Sequence, residues 1–227
     1  AVTDPITARM DEARATFGCR TYPSLGSLIA DKEVELVVVA TLNNQHAGHS
    51  INALKAGKHV LCEKPMATSL ADADKMVATA KETGRILTIN HNMRFTPALM
   101  KVKEILQSGV LGEIILIHLR SHSFRRRWDW QTLKEFDGGE MNNNASHSVD
   151  AALFLLGDVQ PQVTCDLRRT PLCSGDAEDH VKIMLKAPGA PTVDIEVTNA
   201  CAMPSEAFRV MGTCGGLAGS HSQLRWR

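Results

Sequence analysis

Residues 36–65 constrain the fold more than any other stretch. Leu36-Val37-Val38-Val39-Ala40 is a continuous apolar run of strand length, the pattern of a strand buried on both faces of a parallel sheet. A helical pattern covers residues 46–56 and stops at Gly57, and His59-Val60-Leu61-Cys62 is the next short strand. Strands linked through a helix read as a parallel pair. The second strand runs directly into Glu63-Lys64-Pro65. That puts a lysine at the carboxyl end of a strand, where open α/β sheets bind their ligands.

The alternation extends to both sides. Ala1-Val2-Thr3 reads as the end of a strand, and Asp4-Pro5 as an N-cap with proline in the first helical position, opening a helix that Gly18 stops. Ser24 caps a short helix through Ala30. Ser69, with Asp72 three residues on, opens a helix whose Leu70, Ala73, Val77 and Ala80 share a face before Gly84 ends it; residues 86–89 are again strand-like. Strand–helix alternation of this kind predicts a doubly wound parallel sheet.

The texture changes after Arg94. Thr96-Pro97 starts a helix to about Gln107, with Gly109 and Gly112 at its exit, and Ile114-Ile115-Leu116-Ile117 begins a long strand. A helix is expected over 144–156, stopped by Gly157, and strands over 181–185, 192–198 and 208–211. Strands without intervening helices imply a second, largely antiparallel sheet. The expected division is 1–93, a partial dinucleotide-binding domain, and 94–227, an α+β domain for substrate and oligomer contacts.

Twenty-five basic residues balance twenty-five acidic ones, so nothing in the charge points to nucleic acid or an anionic membrane. No apolar run reaches membrane-spanning length. Six scattered cysteines without a Cys-x-x-Cys pair read as free thiols in a reducing, cytoplasmic compartment. His46 and His49 have no carboxylate or third ligand nearby in sequence, so no metal is expected. Cys62, beside Glu63 and Lys64, is either an activated thiol or a small packing residue. No Gly-x-Gly-x-x-Gly occurs; Gly212-Thr213-Cys214-Gly215-Gly216 reads as a turn.

The string Ala56-Gly57-Lys58-His59-Val60-Leu61-Cys62-Glu63-Lys64-Pro65 resembles the Glu-Lys-Pro motif of the Gfo/Idh/MocA oxidoreductases, the glucose–fructose oxidoreductase and inositol dehydrogenase family. A second stretch, Gly138-Gly139-Glu140-Met141-Asn142-Asn143-Asn144-Ala145-Ser146-His147-Ser148-Val149-Asp150, resembles that family's Gly-Gly-x-x-x-Asp-x-Gly-x-His-x-x-Asp segment. The likeness starts at the end of the family's second strand. It implies a partial Rossmann-type parallel sheet followed by the α+β domain. It also implies that the glycine-rich βα unit would precede Ala1 and that the family's C-terminal end would follow Arg227.

The resemblance implies an NAD(P)-dependent oxidoreductase acting on a secondary alcohol or carbonyl of a sugar, polyol or derivative. Two alternatives accompany it: cleavage or elimination through transient oxidation, and a non-enzymatic dinucleotide-binding regulator, which would have no need of a base. His147 is the expected base and Lys64 the donor to the developing alkoxide. The family's Asp is Asn143 here and its Gly is Ala145. Asn143 cannot exchange a proton at neutral pH but can hold a substrate hydroxyl.

Cofactor contacts are expected from Asp4, Thr41, Asn43, His46, Glu63, Lys64, Pro65, Asn92 and Arg94. Asp4 suits a ribose diol and so NAD, with Arg9 a turn later leaving NADP open; the same carboxylate can also cap a helix. Asn43 or Asn44 can equally cap the helix that follows, and Arg94 can equally form a salt bridge at the domain junction. Arg125-Arg126-Arg127-Trp128-Asp129-Trp130 reads as a substrate wall, with Trp128 and Trp130 stacking on a sugar, or as a solvated loop. The implied partners are a small sugar or polyol and a further copy of the chain through the C-terminal sheet.

Overall fold

The computed structural model describes residues 1–227, which divide into two units, Ala1–Asn90 and His91–Arg227. The first contains α1 (Thr7–Phe17), α2 (Leu25–Ala30), β1 (Leu36–Val39), α3 (His46–Lys55), β2 (His59–Cys62), α4 (Leu70–Thr83) and β3 (Leu87–Ile89). The strands pair in parallel in the order β1-β2-β3, with Val37 opposite Val60 and Cys62 opposite Ile89. Helix ends follow local chemistry. Ser24 and Ser27 form a reciprocal capping box on α2. Ser69 Oγ accepts the Asp72 amide at 3.1 Å and donates to Asp72 Oδ2 at 2.8 Å.

Both crossovers, through α3 and through α4, step the same way across the sheet. Right-handed crossovers that step in one direction put their helices on one face. The core lies under that face: Val37, Val39, Leu54, Val60, Cys62 and Met76. The other face is open, with Leu36 53% and Val38 55% exposed, so β1 is buried on one side and not on both. The inner stripe of α4 also differs from expectation. Met76 and Thr79 are buried while Leu70 and Val77 are exposed, because Ala73 and Ala80, flanking Met76 at helical spacing, turn that face inward. Near the start, residues 1–3 form no strand; Val2 makes one isolated parallel bridge to Thr21. Asp4 does not cap a helix at Pro5. Its Oδ1 accepts the Ile6 amide at 2.8 Å in a local turn, and α1 begins at Thr7.

The second unit contains α5 (Pro97–Gln107), β4 (Ile114–His122), α6 (Ser146–Leu156), β5 (Gln162–Arg168), β6 (His180–Lys186), β7 (Thr192–Thr198), β8 (Phe208–Gly212), β9 (Gly216–Gly219) and β10 (Leu224–Trp226). The sheet order is β10-β9-β8-β4-β7-β6-β5, and β4–β7 is its parallel pair. One face buries Ile117, Leu119, Val181, Ile183, Ile195, Val197 and Val210 with Leu99, Val102 and Ala152 of α5 and α6. The alternate residues carry a charged network: Asp194 meets Arg120 at 3.0 Å and Lys182 at 2.7 Å, and Glu196 meets Lys182 at 2.9 Å and His122 at 3.0 Å.

The helix expected over 144–156 begins differently. A π-helical turn, Met141–Ala145, runs into α6 at Ser146. No helix is long and apolar enough to cross a membrane. All six cysteines are unbridged.

Candidate active site

In the first unit the candidate residues collect at the carboxyl ends of the strands. Thr41 and Asn43 follow β1, Glu63-Lys64-Pro65 follows β2, and Asn90 follows β3. Backbone bonds fix the spacing of these ends: the Glu63 amide donates to Val39 O at 2.9 Å and the Asn90 amide to Cys62 O at 2.8 Å. Glu63 Oε1 accepts from Asn90 Nδ2 at 2.6 Å, so this carboxylate ties two strand ends together. Lys64 is half-buried, and the Lys64–Pro65 peptide is cis.

His46 holds this edge in place. Its ring is 1% exposed, with Nδ1 2.7 Å from Pro65 O and Nε2 3.2 Å from Thr41 O. Both ring nitrogens are turned to backbone carbonyls, and the residue braces the loops after β1 and β2. Asn43 is also buried, inside a short 3-10 turn, and the residue at the N-cap of α3 is Gln45. The Cys62 thiol is fully buried and pushed up to about 11, chiefly by that burial, which makes it a packing residue rather than a nucleophile. Asp4 carries its Ile6 bond and an ion pair with Arg9 at 3.4 Å.

In the second unit the candidates cluster around the π turn. Asn143 is buried and its Nδ2 donates to Gln131 O at 3.3 Å. Gly138 and Gly139 each stand against close neighbours within the unit. A Cβ on Gly138 would lie 2.6 Å from Gln131 O. Gly139 has φ 101°, and a side chain there would strike the Glu178 carboxylate, which accepts the Met141 amide at 3.0 Å. Glu140, which the sequence reading missed, is 3% exposed; it accepts from Asn199 Nδ2 at 2.9 Å and from Asn144 Nδ2, with Arg125 3.6 Å away.

His147 opens on a cavity of about 100 Å³ lined also by Thr96, Leu119, Ser121, Asn144, Ser148 and Phe208. Trp128 and Trp130 are not brought to it. Trp128 is 83% exposed, while Arg127 beside it pairs with Asp129 at 2.8 Å and bonds Gln131. Arg94 is committed to Asp150: Nε and Nη2 donate to its two oxygens at 2.9 and 2.7 Å. Of the two readings offered for Arg94, the structure shows a salt bridge, made within the second unit. Asn92 is exposed.

Residues 1–91 match the profile described as "Oxidoreductase family, NAD-binding Rossmann fold", and residues 99–218 match "GFO/IDH/MocA C-terminal domain". The chain belongs to the GFO/IDH/MocA oxidoreductase family. It is 31% identical over 205 residues to 2,7-anhydro-N-acetylneuraminate hydratase of Escherichia coli, covering 88% of this chain and 55% of that protein. Among solved structures, an NAD-binding protein from Listeria innocua superposes with a TM-score of 0.90 at 29% identity, over 96% of this chain and 64% of that one. The WlbA dehydrogenase of Bordetella pertussis, in complex with NADH and UDP-GlcNAcA, superposes at 0.89 and 27% identity, over 99% and 68%. The chain thus spans a little over half the length of the hydratase.

The side chains after β1–β3 fit a dinucleotide such as NAD: a hydroxyl, amides and an ammonium can donate to its oxygens.

Proposed function

We propose that this chain forms part of an NAD-dependent oxidoreductase that acts on a secondary alcohol or carbonyl of a sugar, polyol or derivative. The observation that carries this reading is Lys64, set at the carboxyl end of the middle parallel strand on a loop that His46 braces. When bound, NAD supplies the hydride acceptor. Thr41, Asn43, Glu63, Pro65 and Asn92 would border the cofactor, Asp4 would hold its ribose, and His46 and Arg94 would act through the backbone and through Asp150. Lys64 donates to the substrate oxygen as negative charge develops there. His147 takes the hydroxyl proton. Asn143, fixed through Nδ2, offers its carbonyl oxygen to a neighbouring substrate hydroxyl. Trp128 and Trp130 would offer their ring faces to the sugar.

Lys64→Met in the full-length protein is expected to lower turnover by about 10²-fold or more, with cofactor affinity little changed. Turnover near the parent's would overturn the assignment. A second reading is favoured by the Escherichia coli relative, a hydratase of an anhydro sugar: the same residues could serve an elimination or hydration begun by transient oxidation. Accumulation of NADH in step with product supports the dehydrogenase; product without net NADH supports the second reading.

The charged sheet face of the second unit, which α5 and α6 leave uncovered, supports assembly with a further copy of the chain, and light scattering tests it. Six unbridged cysteines support a cytoplasmic setting.

A further inference from the structure

A second histidine stands beside the proposed base, and no sequence motif marks it. His91 meets His147 edge to face, with ring centroids 6.0 Å apart and planes at 86°. On its other side His91 Nδ1 is 3.9 Å from Asp150 Oδ1. Asp150 is in turn held by the two Arg94 bonds, with its side chain 11% exposed. The Arg94 guanidinium lies 5.5 Å from the centre of the Phe154 ring. His147, Asp150 and Phe154 fall at i, i+3 and i+7 on α6, so they share one helix face. The segment from His91 to Arg94 therefore lies along that face and touches all three residues.

We infer that His91 is a positioning residue that fixes the imidazole plane of His147. This inference rests on the reading of His147 as the base. A helix-borne imidazole can turn about its side-chain bonds, yet only one orientation presents a given nitrogen to a substrate hydroxyl. Turning the His147 ring would break the edge-to-face contact. His91 is held from following it, because Arg94, three residues on, is bonded twice to Asp150 of that helix. The chain of contacts thus makes the base's orientation a property of packed groups rather than of one side chain.

The test compares His91→Ala and His91→Phe in this chain by NMR of the His147 ring. Phenylalanine keeps an edge-to-face ring but has no nitrogen to carry a proton. In the parent, ring-to-ring cross-relaxation between His91 and His147 and a rigid His147 ring are expected. His91→Ala should mobilise the His147 ring, and His91→Phe should restore its order. In the full-length protein the same series should show a turnover loss of about two- to tenfold for His91→Ala, the scale of one aromatic pair, largely recovered in His91→Phe. An ordered His147 ring in His91→Ala would overturn the inference. So would a His91→Phe variant as slow as His91→Ala, since the nitrogen and not the ring would then matter. If His147→Asn keeps full turnover, the base assignment fails instead, and the ring-order result still decides what His91 does to His147.

Discussion

Removing the His46 brace should loosen the Lys64 loop by an amount the structure allows one to work out. Consider His46→Phe, which fills the volume but cannot donate. At least one ring nitrogen carries a proton, so at least one carbonyl, of Pro65 or Thr41, loses a hydrogen bond. A buried acceptor left unsatisfied costs about 1–3 kcal/mol. Taking about 2 kcal/mol, the opening equilibrium of the two loops rises roughly thirtyfold, since about 1.4 kcal/mol is a factor of ten. His46→Gln, which restores a donor, should recover part of this. Trp128, Trp130 and Trp226 all lie in the second unit, so no tryptophan reports on the first unit's loops from within it. Amide hydrogen exchange sees it directly: the Glu63 and Asn90 amides, bonded to Val39 and Cys62, should lose protection by that factor in His46→Phe. Protection kept within about threefold, against that thirtyfold, would refute the reasoning and leave His46 as mere filling.

Three further outcomes are expected. Asp4→Ser should narrow a preference for NAD over NADP, measured by titration of the full-length protein; a parent that binds NADP more tightly would shift the role to Arg9. Burial pushes the Asp194 carboxyl up, but bonds from Arg120 and Lys182 outweigh it and hold it below the ordinary range. Its stabilisation is thus present above about pH 4 and lost as pH falls through the lower folded value, so Asp194→Asn should cost about 2 kcal/mol at pH 7 and progressively less in acid. His118 is held below its ordinary value by burial first and then by Arg120. The unfolded chain therefore takes up its proton first, stability falls as pH drops below about 6.5, and His118→Gln should flatten the thermal melting curve between about pH 7 and 5.

Elements were legible where one local signal sufficed. Ser24, Ser69, Thr96-Pro97 and the glycines at 18, 84 and 157 mark helix ends by chemistry that acts within four residues, and those ends fell where expected. Strand β5 was missed although Val163, Cys165 and Leu167 alternate in Gln162–Arg168, because both its faces are exposed and its residues are mixed in polarity. Strands β9 and β10 are short and rich in glycine or charge, and the pairing of β9 with β8 and of β10 with β9 comes from contacts the local sequence does not carry. The two-sided burial expected of β1 depended on where two distant helices cross, which periodicity within one strand cannot report.

The same division of local from non-local holds for the candidate site. Lys64 and His147 lie inside recognisable strings because each sits at the junction of two elements, where glycine, proline or a helix start leaves a mark. The residues that hold them lie elsewhere: His46 in the first turn of α3, Glu140 ahead of the π turn, His91 before a 3-10 turn. His46 reaches Pro65 nineteen residues away and Glu140 reaches Asn199 fifty-nine residues away, distances no motif spans. His46 stands out in the sequence only as a polar residue after a strand, and such a residue looks the same whether its ring faces a cofactor or a carbonyl. What separates the cases is a single bond distance, 2.7 Å to Pro65 O, and that is settled by packing, not by composition. A site of this family therefore has two layers of information. One is written in short strings that supply the reacting groups. The other lies in buried polar contacts that fix their orientation, and these become visible once the chain has folded.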